Sequence, residues 1–209
     1  MRATGRMGKR TVRATVSWMA DPPVGVLSDG VVGVRVPILS DADDLAVYGS
    51  DEALLDGVWV SGGGVSWPDS RAWAFDRVED ALAGWSPPGS LSGASLSVVL
   101  EGRLVGFLYL GSRGDASVEL SYGIAPPFRG RGIATRAVLL ATKWLLGRDD
   151  CSRVELRISA HNVASLRVAE KAGFVYSGEQ SCVVAGTQEP FIDRVFVRVA
   201  VGSRSHATA

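Results

Sequence analysis

At 209 residues with 46% hydrophobic content, the chain suits one packed domain better than two. Its 22 lysines and arginines offset its 22 aspartates and glutamates, so no net charge draws it toward nucleic acid or an anionic membrane surface. Two cysteines, Cys151 and Cys182, allow one bridge at most, and a domain of this size does not need it; free thiols acting as small hydrophobes in a reducing cytoplasm are expected, and no apolar run approaches the length of a membrane span.

Along the chain, Arg2, Arg6, Lys9, Arg10 and Arg13 precede the weakly apolar Ala14–Ala20, which Thr15, Ser17 and Trp18 interrupt. Residues 1–23 are therefore expected to be a flexible basic tail rather than a targeting signal. Val24–Leu27 and Val31–Val36 flank Ser28-Asp29-Gly30, a hairpin signal because Asp-Gly supplies the positive-φ positions of a tight turn. Ser40 can cap a helix whose first turn holds Asp41, Asp43 and Asp44, where the helix dipole favours negative charge. Gly62-Gly63-Gly64 and Trp67-Pro68 form an irregular connection before a helix that opens at Asp69 or Ser70 and stops at Gly84.

Strands Leu96–Leu100, Leu104–Leu110 and Ser117–Ile124 follow, separated by turns at Glu101-Gly102 and Gly111–Asp115. Ile133, Ala134, Ala137, Val138, Ala141, Trp144 and Leu145 then recur at helical spacing up to Gly147. The next strand, Arg153–Ser159, should lie parallel to Ser117–Ile124 through a right-handed crossover. A short helix over Ser165–Ala172 and strands Ser181–Ala185 and Asp193–Val199 close the domain, which spans 24–200 and leaves 201–209 as a second flexible tail. The fold class is α+β, with α and β mixed around one central sheet.

Chemistry concentrates between Gly123 and Ala134. Gly130 and Gly132 let the backbone turn sharply and approach a ligand, and the first amides of the following helix have no partner within it, an arrangement that binds phosphate. Arg129 and Arg131 add positive charge. A P-loop would need Gly-Lys-Ser/Thr and a dinucleotide fold a complete Gly-x-Gly-x-x-Gly, and the segment contains neither. Alone, such a turn also serves simply to reverse the chain.

Arg129-Gly130-Arg131-Gly132-Ile133-Ala134 resembles the pyrophosphate loop Gln/Arg-x-x-Gly-x-Gly/Ala of the GNAT acyltransferases. Asn162-Val163-Ala164-Ser165 and Lys171-Ala172-Gly173-Phe174 match that family's Asn-x-x-Ala/Ser segment and Gly-Phe helix end. Leu27–Pro37, with the Asp-rich helix start, and Glu119-Leu120-Ser121-Tyr122 look like the RimJ/RimL-type branch, which acetylates protein N-termini among other amines. The resemblance covers residues 24–200.

It implies a GNAT-like domain with a bent mixed sheet of about 6–7 strands flanked by about four helices, in which strands Ser117–Ala125 and Arg153–Ser159 splay apart to admit an acyl-CoA. The implied cosubstrate is acetyl-CoA or another acyl-CoA, without a metal. Its contacts would be Tyr122, Gly123, Ile124, Ala125, Arg129, Gly130, Arg131, Gly132, Ile133, Ala134, Asn162 and Ser165, with one strand amide polarising the acyl carbonyl.

Attack of an amine on the thioester needs a base for the ammonium and an acid for the thiolate. Ala169 stands where many members carry a tyrosine acid. Ser165 is the substitute, acting directly, through water, or by orienting the thiolate, and Glu119 is the candidate base. Asn162 would cap its helix and also contact the cofactor. Tyr122 and Tyr176 are further polar tips, and His161 reads as a surface residue. The two histidines and two cysteines form no metal set.

The implied acceptor is a small-molecule amine or a protein N-terminus, expected to be selected by the first two helices, their Gly62–Trp67 connection and the Gly186–Pro190 loop, with Trp59, Trp67, Trp73 and Trp85 as pocket or core residues. A homodimer is among the expected assemblies. Two other function classes stay open: an inactive module that senses acyl-CoA, and a nucleotide-binding regulatory domain.

Overall fold

The computed structural model describes residues 22–49, 93–183 and 190–200, together with helical positions 74, 75, 78, 79, 81 and 82. Strands β1 (Leu27–Ser28) and β2 (Val32–Arg35) form the opening hairpin. Asp29 closes its turn by accepting the Val31 and Val32 N–H groups at 2.9 Å each, and Gly30 takes the required positive φ of 89°.

Helix α1 (Asp41–Gly49) follows. Its first-turn acids do more than complement a dipole. Asp41 is 2% exposed and accepts from Arg35 at 2.8 Å, from Ser97 at 2.7 Å and from the Ile38 N–H at 3.0 Å. Asp44 accepts the Leu104 N–H at 2.9 Å. The two carboxylates thereby fasten α1 to β2 and to strands β3 (Gly93–Leu100) and β4 (Arg103–Gly114). Ser40 contributes its backbone carbonyl, 3.3 Å from the Asp43 N–H.

Strand β5 (Ser117–Ile124) leads through a 3₁₀ turn at Pro126–Phe128 into α2 (Ile133–Leu146). Then come β6 (Arg153–Ser159), α3 (Val163–Lys171), β7 (Val175–Val183) and β8 (Pro190–Val199). One 8-stranded mixed sheet results, ordered β1-β2-β3-β4-β5-β6-β8-β7, with β5 and β6 parallel as expected.

Three strand expectations needed correction. Strand β4 does not turn at Gly111 but runs to Gly114, with the reversal at Asp115 and Ala116, whose φ values are 51° and 56°. The penultimate strand begins at Val175 rather than Ser181, because Val175 and Tyr176 pair with Val197 and Phe196 across a register shift before Gly178. The sheet has 8 strands, one more than the upper figure that the family resemblance implied. Trp59, Trp67, Trp73, Trp85, Gly62–Trp67, residues 186–189 and most of both tails lie outside the described residues.

Two apolar layers hold the sheet. On one face Ile133, Ala137, Val138, Ala141 and Leu145 of α2 meet Val118, Leu120, Val154 and Leu156, with Ala169 and Ala172 from the α3 region beside them. Each fully buried valine, leucine or isoleucine there contributes about 1.5–3 kcal/mol. On the other face Ala42 and Leu45 of α1, with Ala74 and Val78, cover Leu104 and Phe107 of β4. Among the described residues, no helix is long and apolar enough to cross a membrane.

Candidate active site

The parallel pairing of β5 with β6 covers only Ser117–Glu119 against Arg153–Glu155. Strand β5 nevertheless stays registered with β4 up to Ile124, and β6 stays registered with β8 up to Ser159. The two strands therefore part beyond Glu119 and leave a gap in the middle of the sheet.

Strand alternation decides which backbone groups face that gap. The Ala125 N–H donates to the Val105 carbonyl at 2.9 Å, so Ala125, Gly123 and Ser121 direct their polar groups toward β4, and Tyr122 and Ile124 direct theirs into the gap. This narrows the expected cofactor contacts: the amides of Gly123 and Ala125 are engaged with β4. Arg129 Nε donates to the Ile124 carbonyl at 2.8 Å, tying the loop to the strand end. Gly106, which has no sequence signal beyond its place inside a strand, permits the close approach here. A Cβ at Gly106 would meet the Gly123 carbonyl and lie 2.7 Å from Ile124 Cδ1.

At the mouth of the gap the chain enters α2 through Arg129–Gly132. Gly130 and Gly132 have φ of 74° and 77°, and open space surrounds both Cβ positions. They are needed for left-handed backbone, not for lack of room. Gly132 is the N-cap, without a side-chain cap and with no acid in the first turn. The first helical bond runs from the Arg136 N–H to the Gly132 carbonyl at 3.1 Å, so the Ile133, Ala134 and Thr135 amides precede the helix's own ladder. Arg131 sits 6.0 Å over the Phe128 ring. Unpaired amides at a positive dipole end, with two arginines in the turn, are the chemistry that an anion-binding turn requires.

The remaining candidates lie on the two faces of the sheet. On the face carrying α2 and α3, the Tyr122 hydroxyl donates to the Ser165 carbonyl at 3.4 Å, and burial pushes its phenol pKa up. The Asn162 side chain accepts the Ser165 N–H at 3.0 Å as the N-cap of α3, which leaves its amide nitrogen able to donate elsewhere. Ala169, in the place of the family tyrosine, is 0% exposed within the core. His161 is exposed, as is Tyr176, whose ring packs edge-on against Phe196 at 5.8 Å.

Glu119 projects from the opposite face, odd and even β5 residues pointing to different sides. Its carboxylate lies 2.8 Å from Arg113 Nε and 3.5 Å from Arg157 Nε. Burial raises its pKa, Arg113 lowers it, and Glu155 and Asp193 raise it again, for a net upward shift. The two catalytic candidates, Ser165 and Glu119, therefore lie toward opposite faces of the sheet. Cys151 is buried, and burial pushes its thiol up to about 11, which fits a packing role. Among the described residues no group of His, Cys, Asp and Glu is arranged to hold a metal.

The family model for the acetyltransferase (GNAT) domain matches residues 32–175. None of the curated proteins compared with this chain matches it. Similar solved structures include Mycobacterium smegmatis RimJ in complex with CoA-disulfide, at 22% identity, covering 87% of this chain and 89% of that one with a TM-score of 0.69. The ribosomal-protein-S5-alanine acetyltransferase from Vibrio fischeri is 18% identical, with 87% and 100% coverage and a TM-score of 0.67. The microcin C7 self-immunity acetyltransferase MccE, in complex with acetyl-CoA and AMP, is 14% identical, with 82% and 93% coverage and a TM-score of 0.66.

Proposed function

The chain belongs to the acetyltransferase (GNAT) domain family, and on that premise we propose that it transfers an acetyl or other short acyl group from CoA to a primary amine, by direct attack within a ternary complex. The observation that carries this is the junction of two features: a gap between β5 and β6 beyond Glu119 and, at its mouth, the uncapped α2 N-terminus behind Gly130 and Gly132. A thioester arm fits the gap and its pyrophosphate fits the loop. Similarity to RimJ and to a ribosomal-protein-alanine acetyltransferase favours a protein N-terminus as acceptor, as does the matched RimJ/RimL-type motif set.

In this reading the amides of Ile133, Ala134 and Thr135 hold the pyrophosphate, with Arg129 and Arg131 adding charge. The Tyr122 N–H, directed into the gap, polarises the acyl carbonyl as negative charge develops on its oxygen. The nitrogen–carbon bond forms as the carbon–sulfur bond breaks, and the proton lost by the ammonium passes to solvent or Glu119. Ser165 and the Asn162 amide nitrogen, at the start of α3, are the groups given the task of meeting the departing thiolate. A serine hydroxyl is too weak an acid to protonate it alone, so Ser165 orients the thiolate or relays a water proton.

A thermal-shift panel of acetyl-CoA, succinyl-CoA, ATP and NAD tests the donor. Stabilisation by the CoA esters alone is expected, and its absence would refute the reading. Release of free thiol over a set of N-terminal peptides and small amines then separates an enzyme from an inactive sensor of acyl-CoA. Full activity in Ser165→Ala would remove that side chain from the mechanism.

A further inference from the structure

Glu119 and Glu155 are the last residues that β5 and β6 pair before the gap opens. Two carboxylates side by side on neighbouring strands are destabilising unless cations answer them. Three arginines do so. Arg113 reaches Glu119 from β4 at 2.8 Å, and Arg153 reaches Glu155 along β6 at 2.8 Å. Arg157 lies between the two acids, its Nε 3.5 Å from Glu119 Oε2 and its Nη2 3.9 Å from Glu155 Oε2. Asp193 of β8 adds a further negative charge that acts on Glu119.

Arg157 differs from the other two arginines in where it starts. It stands two residues past Glu155, so its side chain leaves β6 on the same face as both acids. Its backbone is registered with Val195 of β8 and lies beyond the last β5 pairing, on the β6 wall of the gap. Continued along the strands, the β5–β6 register would set it level with Ser121, next to Tyr122, whose N–H enters the gap. From there the guanidinium leans back to Glu119. The carboxylate is thus held by a cation from each flanking strand, Arg113 from β4 and Arg157 from the gap side. The Arg157 side chain is 15% exposed, and its Nε is buried with no hydrogen bond among the described residues. A buried N–H aimed so near a carboxylate has slack to take up, as catalytic hydrogen bonds commonly tighten only once substrate is bound.

We infer that Arg157 is a positioning residue for proton transfer: it holds the Glu119 carboxylate toward the gap, where the acceptor's ammonium gives up an N–H proton to it and becomes the amine that attacks the thioester. The inference rests on the acyltransferase reading above, with Glu119 as base. Once protonated, Glu119 releases Arg157, which keeps Glu155 as its partner, and the proton passes on to solvent. The test combines thiol release from acetyl-CoA over N-terminal peptides and small amines with acetyl-CoA binding by calorimetry. Arg157→Gln, its fold checked by circular dichroism, should lower kcat about tenfold and leave the acetyl-CoA Kd within about twofold. Arg157→Lys keeps a cation on β6 and should recover most of that loss. In a Glu119→Gln background, which removes the repulsion between the two acids, Arg157→Gln should cost no more than about twofold further. A full additional tenfold loss there, or full kcat in Arg157→Gln alone, overturns the inference. A readout without turnover is the Glu119 carboxyl resonance in protein isotope-labelled at glutamate and assigned by its loss in Glu119→Gln. Arg157→Gln should move its titration to higher pH, because a neighbouring cation favours the charged form; an unmoved titration also overturns the inference. Full activity in Glu119→Gln, or wild-type protein that releases no thiol over any acceptor, overturns the reading on which it rests.

Discussion

Gly132→Ala separates a glycine kept for ligand binding from one kept for the turn. Gly132 has φ of 77° and no atom near its Cβ position, so an added methyl meets no clash and acts through backbone conformation alone. Holding an L-residue in the left-handed region costs about 1–2 kcal/mol. Gly102, in the β3–β4 turn, is a matched control, with φ of 81° and equally open space. Both alanine variants should lower the melting temperature by about 2–8 °C. They should differ in acetyl-CoA affinity. The free chain can relieve the strain at position 132 by rotating the peptide ahead of Ile133, and binding must then restore the original amide directions. Up to the whole penalty reappears as lost affinity, about 5–30-fold. Gly102→Ala should bind normally. Calorimetry on both variants checks this, and equal affinities would refute a pyrophosphate role for the loop.

Asp41→Ala leaves Arg35, 13% exposed, without its partner, and should cost about 3–5 kcal/mol in urea unfolding; a loss under about 1 kcal/mol would mean that water replaces the carboxylate. Asp29 governs an acid limb. Burial raises its pKa, but the Val32 N–H, the Arg136 side chain and the Val31 N–H more than offset this and bring it to about 2. A lowered folded pKa gives stability present above the ordinary value of 3.8 and lost as pH falls toward about 2. Asp29→Asn should therefore flatten melting temperature against pH in that window, and an unchanged slope would count against the assignment. In a Cys182→Ser background, Cys151, its thiol raised to about 11, should resist iodoacetamide at pH 8 until urea unfolds the chain.

What the sequence disclosed was governed by periodicity and by backbone demand. The α2 stripe was readable because Ile133, Ala137, Val138, Ala141 and Leu145 repeat at the helical period and all are buried. The turn at Gly130 and Gly132 was readable because two glycines just ahead of such a stripe mark left-handed backbone leading into a helix, and both take positive φ. Asp41 was readable only as a first-turn acid, since a carboxylate serving a helix dipole and one buried against Arg35 and Ser97 have the same local pattern. Strand β7 was hidden by Gly178-Glu179-Gln180-Ser181, polar residues that an edge strand tolerates because one side faces water.

The gap itself follows from the pairing on its outer sides. β5 is held to β4 through Ile124, and β6 to β8 through Ser159, so each strand keeps its course where the inner edges part. Separation leaves the Tyr122 N–H without a β6 partner, and a polar group left unmatched in a closing site costs about 1–3 kcal/mol. A bound thioester arm would supply that partner, adding itself to the sheet as a strand would. Amide hydrogen exchange tests this at single residues. Acetyl-CoA should slow exchange at Tyr122 by more than about tenfold, and leave Gly123, already directed at β4, slowed far less. Equal protection at the two amides would mean that the ligand stiffens the strand as a whole without pairing to it, and the oxyanion role given to the Tyr122 amide would fall.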